Sequence, residues 1–73
     1  MSSNPNLTPR EWDVLVCLTM GKTNREIAAE LHLGVSTVKS HLSSLYKKLG
    51  VSNRTKAVMV GLGIFPTLRA VAS

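Results

Sequence analysis

The chain has 73 residues, of which 44% are apolar, so it can form one small hydrophobic core but has no room for the second lobe of a composite enzyme. Nine Lys and Arg residues outnumber four Asp and Glu residues, which gives a formal net charge of +5. Such an excess on a small body favours an anionic partner, with nucleic acid ahead of a membrane surface. The excess lies in the second half, because residues 34–73 contain six Lys and Arg residues and no acidic residue.

The residues offer no disulfide, metal site or membrane segment. Cys17 is the only cysteine, and His41 has no Cys, Asp or second His near it, so neither has the companions that a disulfide or a metal ion needs. No apolar run approaches the roughly 18–20 residues of a membrane span, and the first six residues lack the basic and apolar regions of a signal peptide. We therefore expect a cytoplasmic protein with no cofactor, no membrane contact and no enzymatic activity.

The folded domain is predicted to span residues 7–65. Residues 1–6 are polar and lack an apolar period, which is typical of a flexible arm or the end of a linker. Phe65-Pro66 stops the last predicted helix, so residues 66–73 are predicted to form a C-terminal tail.

Two capping boxes mark the first two helices. Thr8-Pro9-Arg10-Glu11 places a hydroxyl before a helix and a carboxylate three residues later, and predicts a helix over about 9–20 that ends near Gly21. Thr23-Asn24-Arg25-Glu26 repeats the pattern and predicts a short helix over about 24–31. Apolar residues recur at helical spacing in both: Val14, Leu15 and Leu18, then Ile27, Ala28 and Leu31.

Two further helices complete an all-α, four-helix fold. After the tight connection at 32–35, a helix is predicted from Ser36 to Leu49, closed by Gly50. Its inward residues are Val38, Leu42, Leu45 and Leu49. A fourth helix is predicted from Arg54 to about Gly63, capped by Ser52 or Asn53, with Ala57, Val58, Gly61 and Ile64 facing inward. No segment shows the two-residue alternation of a strand.

The third predicted helix carries the functional signal. A short helix, a turn of three or four residues and a longer helix form the arrangement that places its second helix in a DNA major groove. The outward stripe of that helix is free of carboxylates and consists of small hydroxyls and lysines: Ser36, Lys39, Ser40, Ser43 and Lys47. Such a surface can approach phosphates without repulsion and base edges without steric conflict.

Less specific interpretations remain open at this point. A helical bundle that binds no nucleic acid would show similar helices, and Lys47 and Lys48 also suit the negative end of a helix dipole. A stripe formed by Trp12, Val16 and Met20 is either the edge of the core or a contact surface for a sensor domain or RNA polymerase. A protein-interaction module similar to the promoter-reading part of a sigma factor, contacting polymerase or another regulator, is the leading alternative from another functional class.

An ordered string of motifs resembles the LuxR-type helix-turn-helix domain over about residues 7–62. The matching residues run from Leu7 to Ala57: Leu7-Thr8-Pro9-Arg10-Glu11, Gly21, Asn24-Arg25-Glu26-Ile27-Ala28, Leu31, Thr37-Val38-Lys39, His41-Leu42, Lys48-Leu49-Gly50-Val51, Asn53-Arg54-Thr55 and Ala57. The resemblance implies a bacterial DNA-binding transcriptional regulator, usually as the C-terminal output module of a response regulator or a ligand-sensing activator. One departure is Gly34, where many members have Ser or Thr as the cap of the recognition helix.

The resemblance and the stripe together give candidate contacts with double-stranded DNA. The base-contacting candidates are Lys39, Ser40, Ser43 and Ser36. The phosphate-contacting candidates are Thr37, Lys47, Lys48, Thr23 and Asn24. We expect replacement of Lys39 or Lys48 by alanine to change folding stability by no more than about 0.5 kcal/mol, because both side chains should lie on the surface.

A homodimer on two-fold DNA sites is predicted to form through the fourth helix. If Ala57, Val58 and Gly61 pack inward, apolar side chains remain on the other face with nothing to cover them. The predicted interface residues are Thr55, Lys56, Met59 and Leu62.

Overall fold

A computed structural model describes residues 6–64 of the chain, except for the side chain of Ile64. Four α-helices follow one another: α1 Pro9–Thr19, α2 Asn24–Leu31, α3 Val35–Leu49 and α4 Arg54–Ile64. Residues 6–64 contain no strand. The predicted all-α fold is confirmed, and each helix begins and ends within one residue of its predicted bounds. The predicted tail at 66–73 and all but Asn6 of the predicted arm lie outside the described residues.

Both predicted capping boxes are present. The Thr8 hydroxyl accepts a hydrogen bond from the Glu11 N–H at 3.1 Å, and Glu11 Oε1 accepts one from the Thr8 N–H at 2.9 Å. At α2 the Thr23 hydroxyl accepts from the Glu26 N–H at 3.2 Å, and Glu26 Oε1 accepts from the Thr23 N–H at 2.8 Å. These reciprocal bonds satisfy backbone donors that a helix start leaves unpaired, which fixes where α1 and α2 begin.

The connections between successive helices use different backbone conformations and caps. Gly21 and Gly50, which were predicted to end the first and third helices, adopt φ of +79° and +70°, a left-handed conformation that favours glycine. The turn between α2 and α3 uses His32 instead, at φ +58°, a conformation in which histidine is enriched among non-glycine residues. Gly34 caps α3 without a side-chain hydrogen bond, whereas the side chain of Asn53 caps α4 by accepting from the Lys56 N–H at 2.9 Å.

One core joins all four helices. Its buried apolar residues are Val14, Leu15, Cys17, Leu18, Ile27, Ala28, Val38, Leu42, Leu45 and Ala57. Leu31 and Leu49, which were predicted to face inward, are half-buried against this core. Burial also raises the pKa of the Cys17 thiol, so this side chain is a neutral apolar filler and not an activated nucleophile.

Helix α4 lies close against α1 at Gly61. An added Cβ at this buried glycine would meet Thr19 Cγ2 at 2.6 Å and Leu15 Cδ1 at 2.9 Å. The inward orientation predicted for Ala57 and Gly61 is confirmed, while Val58 is half-buried. The inward position predicted for the Ile64 side chain lies outside the described residues.

The stripe formed by Trp12, Val16 and Met20 runs from the core to the surface. Trp12 packs against the core and is half-buried, as is Val16, whereas the Met20 side chain is 61% exposed. Trp12 is therefore a residue of the core edge, and Met20 is the part of the stripe that another macromolecule can reach.

Candidate nucleic-acid interface

The outward face of α3 is polar, basic and exposed. Five residues of the predicted stripe are exposed: Ser36, Lys39, Ser40, Ser43 and Lys47. The opposite face carries the buried side chains of Val38, Leu42 and Leu45. Because α3 contains no acidic residue, the lysines of the stripe have no carboxylate on their own helix to neutralise them.

Some of the charges elsewhere on the described part of the chain are paired. Arg10 Nη1 lies 3.5 Å from Asp13 Oδ2, and Lys22 Nζ lies 3.6 Å from Glu30 Oε1. Between residues 6 and 64, neither Lys39 nor Lys47 forms an ion pair. Arg25 on α2 and Lys56 on α4 are also exposed without an ion pair among residues 6–64, so α3 carries two of the four exposed basic side chains that are free to meet an anion.

The flank of α3 next to this stripe is attached to α1. Glu11 is almost fully buried, with 4% of its surface exposed. Its Oε1 atom lies 2.8 Å from Lys48 Nζ, and its Oε2 atom accepts a hydrogen bond of 2.6 Å from the Ser44 hydroxyl. Lys48, predicted to contact a phosphate, thus has a partner within the protein. This contact revises the expectation that replacing Lys48 leaves folding stability unchanged.

The bonds around Glu11 keep its side chain ionised. Burial alone would raise the pKa of this carboxyl, but hydrogen bonds from Lys48, Ser44 and the Thr8 N–H outweigh it and lower the pKa from 4.5 to about 2. The backbone N–H of Thr23 likewise lowers the pKa of Glu26, whose side chain is exposed. Glu11 therefore acts as a charged link between α1 and α3 at neutral pH.

Acid should weaken the fold through this carboxyl. Because the pKa of Glu11 is lower in the folded state than in the unfolded state, its stabilising contribution is complete above about pH 4.5 and is lost as the pH falls toward about 2. We expect urea midpoints, measured by circular dichroism, to decrease across this interval. A Glu11→Gln variant, which cannot titrate at this position, should show a flatter decrease; an equally steep decrease would contradict the assignment.

The start of α2 is held by α4. Arg54 Nη1 donates to Asn24 Oδ1 at 2.8 Å, and Arg54 Nη2 donates to the backbone carbonyl of Lys22. The Thr23 hydroxyl is already the cap of α2. The two predicted phosphate-contacting residues at this helix start, Thr23 and Asn24, thus each have a structural partner, and sequence reasoning did not single out Arg54 for this role.

The predicted dimer residues lie mostly on the surface of α4. Thr55, Lys56 and Met59 are exposed and Leu62 is half-buried. The Met59 side chain is 67% exposed. Thr55 and Met59 also line an open cleft between the end of α1 and the start of α4.

No other kind of site is evident in the part of the chain that the structure describes. Residues 6–64 hold no group of three or more His, Cys, Asp or Glu side chains close enough to bind a metal ion. None of the four helices is both long and apolar enough to cross a membrane.

Comparison with known proteins agrees with this geometry. Residues 5–61 match the family described as bacterial regulatory proteins, luxR family. The fold is also similar to a crystal structure of the response regulator ChrA of a heme-sensing two-component system, with a TM-score of 0.75 and 38% sequence identity. The match covers 89% of this chain and 32% of that one, so the chain spans about a third of the length of this relative.

The family match includes α1, α2, α3 and most of α4, and so contains the helix-turn-helix pair and the exposed face of α3. Members of this family are DNA-binding transcription regulators and not enzymes. The chain belongs to the luxR family of bacterial regulatory proteins and is a DNA-binding domain of transcription regulation.

Proposed function

We propose that the chain reads specific double-stranded DNA sites by placing α3 in the major groove. The observation that carries this proposal is the contrast between the two faces of α3: three buried apolar side chains on one, and exposed hydroxyls and unpaired lysines on the other. Base contacts are assigned to Lys39, Ser40, Ser43 and Ser36. Phosphate contacts are assigned to Thr37, Lys47, Lys48, Thr23 and Asn24.

We also propose that the domain is the output module of a response regulator. The similar protein ChrA is a response regulator, and this chain corresponds to about a third of its length. A regulator of bacterial transcription acts on the chromosome, so the proposed location is the bacterial cytoplasm.

Base reading and phosphate anchoring should separate in two variants of α3. Lys39→Ala should cost about 1–3 kcal/mol on a duplex selected from a random library by the wild-type chain, and much less on random DNA. Lys47→Ala should weaken both duplexes alike and lower the slope of log affinity against log salt concentration by about 0.9 per half-site. Fluorescence anisotropy at several salt concentrations measures both effects. Unchanged binding of Lys39→Ala to the selected duplex would rule out this placement of α3.

Pairing of two copies through α4 is proposed from the exposed Met59. A weak apolar contact between copies would form on DNA, where two half-sites bring the copies together. We expect sedimentation to show a cooperative 2:1 complex on a duplex with two half-sites. Met59→Lys should abolish the cooperativity, whereas Met20→Lys, which adds the same charge to a similarly exposed methionine outside α4, should retain it. A cooperative complex with Met59→Lys would place the interface elsewhere.

Contact with RNA polymerase is a second proposed interaction, and Met20 is the observation that favours it. The Met20 side chain lies directly after α1, at the end of the stripe formed by Trp12, Val16 and Met20, and it is exposed. If the chain were an interaction module and not a DNA reader, its affinity for its partner would lack the salt dependence of phosphate contacts. Fluorescence anisotropy at several salt concentrations therefore distinguishes the two functions, because only a DNA reader binds the duplex with the salt dependence of phosphate contacts.

A further inference from the structure

The two capping boxes of the chain are alike locally but differ in what lies beyond them. In both, a glutamate side chain accepts a hydrogen bond from the backbone N–H of a threonine three residues earlier, at 2.9 Å for Glu11 and 2.8 Å for Glu26. Glu26 is exposed and has no hydrogen bond to α3. Glu11 is buried and bonds to two residues of α3, 33 and 37 positions along the chain. Capping alone therefore does not account for the position of Glu11.

The contact with α3 involves both carboxylate oxygens. Oε2 receives the Ser44 hydroxyl at 2.6 Å and Oε1 receives the Lys48 ammonium at 2.8 Å. Ser44 and Lys48 are four residues apart and so lie one above the other on the same flank of the helix. Two bonds on successive turns oppose rotation of α3 about its own axis. Such a rotation would change the direction in which the neighbouring stripe of exposed side chains points.

The Lys48 ammonium is held without being enclosed. Its side chain is 36% exposed, and a lysine ammonium has three N–H donors, of which the bond to Glu11 uses one. The remaining donors can meet a phosphate while the first stays on Glu11. A side chain that is already held in place loses less conformational freedom when it binds.

We propose that Glu11 is a positioning residue for DNA recognition, which fixes the orientation of α3 through Ser44 and presents the Lys48 ammonium to a phosphate. This inference rests on the proposed function, because it requires that α3 meets DNA. Glu11 itself does not touch the DNA in this arrangement; it acts through the two side chains that it binds.

Glu11→Gln and Glu26→Gln form a matched pair for the test. Each removes one negative charge and keeps an amide oxygen that can complete the capping box, since glutamine also serves at this position. Any general gain in affinity from the added net charge is therefore common to both. Affinities for the selected duplex and for random DNA are measured well below the melting temperatures, and circular dichroism confirms that both variants are folded.

We expect Glu26→Gln to keep the wild-type ratio of specific to random affinity, and Glu11→Gln to lower that ratio about tenfold, the effect of one lost charge-assisted hydrogen bond. In the free proteins, amide hydrogen exchange across α3 should accelerate in Glu11→Gln alone. Adding Lys48→Met to Glu11→Gln should weaken binding to both duplexes by less than Lys48→Met does in the wild-type background, because the two residues act through one contact.

Each result has a distinct meaning. If Glu11→Gln keeps the wild-type ratio, as Glu26→Gln does, Glu11 serves folding alone and the inference is wrong even though the proposed function stands. If the wild-type chain does not discriminate the selected duplex from random DNA, the proposed function fails, and the inference about DNA fails with it. Faster exchange in α3 for both variants would overturn the claim that Glu11 differs from an ordinary cap.

Discussion

Replacing Lys48 by methionine is expected to lower the free energy of unfolding by about 1–3 kcal/mol at pH 7, the cost of leaving a buried hydrogen-bonding group without one of its partners. The change leaves the Glu11 carboxylate buried, with 4% of its surface exposed, and without its only cationic partner in the described part of the chain. The Ser44 hydroxyl and the Thr8 N–H remain as donors, which keeps the cost from being higher.

Lys47→Met is the matched control for this prediction. It removes the same charge one residue earlier on α3, from a side chain that is exposed, so the free energy of unfolding should change by no more than about 0.5 kcal/mol. Urea unfolding followed by circular dichroism measures both variants. Equal, small effects for the two lysines would show that the Glu11–Lys48 contact contributes nothing to the fold.

Replacing Gly61 by leucine should cost about 3 kcal/mol or more, at or beyond the upper end of the usual penalty for overpacking. A Cβ alone would lie 2.6 Å from Thr19 Cγ2 and 2.9 Å from Leu15 Cδ1. Neither neighbour moves easily, because the Thr19 hydroxyl donates to the Val16 carbonyl at 2.7 Å and Leu15 is completely buried. The larger side chain must therefore push α4 away from α1.

Gly63→Leu is the control on the same helix. A Cβ at Gly63 meets no atom within 4 Å, so this variant should gain up to about 1 kcal/mol from the better helix propensity of leucine. Adding Leu15→Ala to Gly61→Leu should recover part of the lost stability, because it removes one of the two obstructing side chains. Thermal melts that rank Gly61→Leu with Gly63→Leu would contradict the close packing of α4 on α1.

Local patterns were sufficient to predict the helices. The capping boxes, the glycines at helix ends and the spacing of apolar residues all involve positions within about four residues of each other, which the sequence displays directly. The same spacing identified the outward stripe of α3, because a helix with a buried face defines its opposite face. The left-handed His32 was not predicted, since histidine is not a usual signal for the end of a helix.

Contacts between distant residues were not predicted, and they decide how the site is held. The bonds from Glu11 to Ser44 and Lys48, and from Arg54 to Asn24, join residues at least 30 positions apart. One signal was available: Glu11 lies one helical turn before Val14 and Leu15, on the buried face of α1. A carboxylate on an apolar face requires hydrogen-bond donors or a cation from another element. Which cation supplies it depends on the relative placement of α1 and α3.

The reactivity of the buried Cys17 thiol can report how often the core of the domain is transiently exposed. The thiol is the only one in the chain and is 5% exposed, with a raised pKa. Since alkylating reagents react with the accessible thiolate, the rate at which iodoacetamide modifies this residue follows the transient exposure of the core. Labelling kinetics can thus compare the stability of all these variants in the presence of bound DNA, without a dye, a tag or an added cysteine.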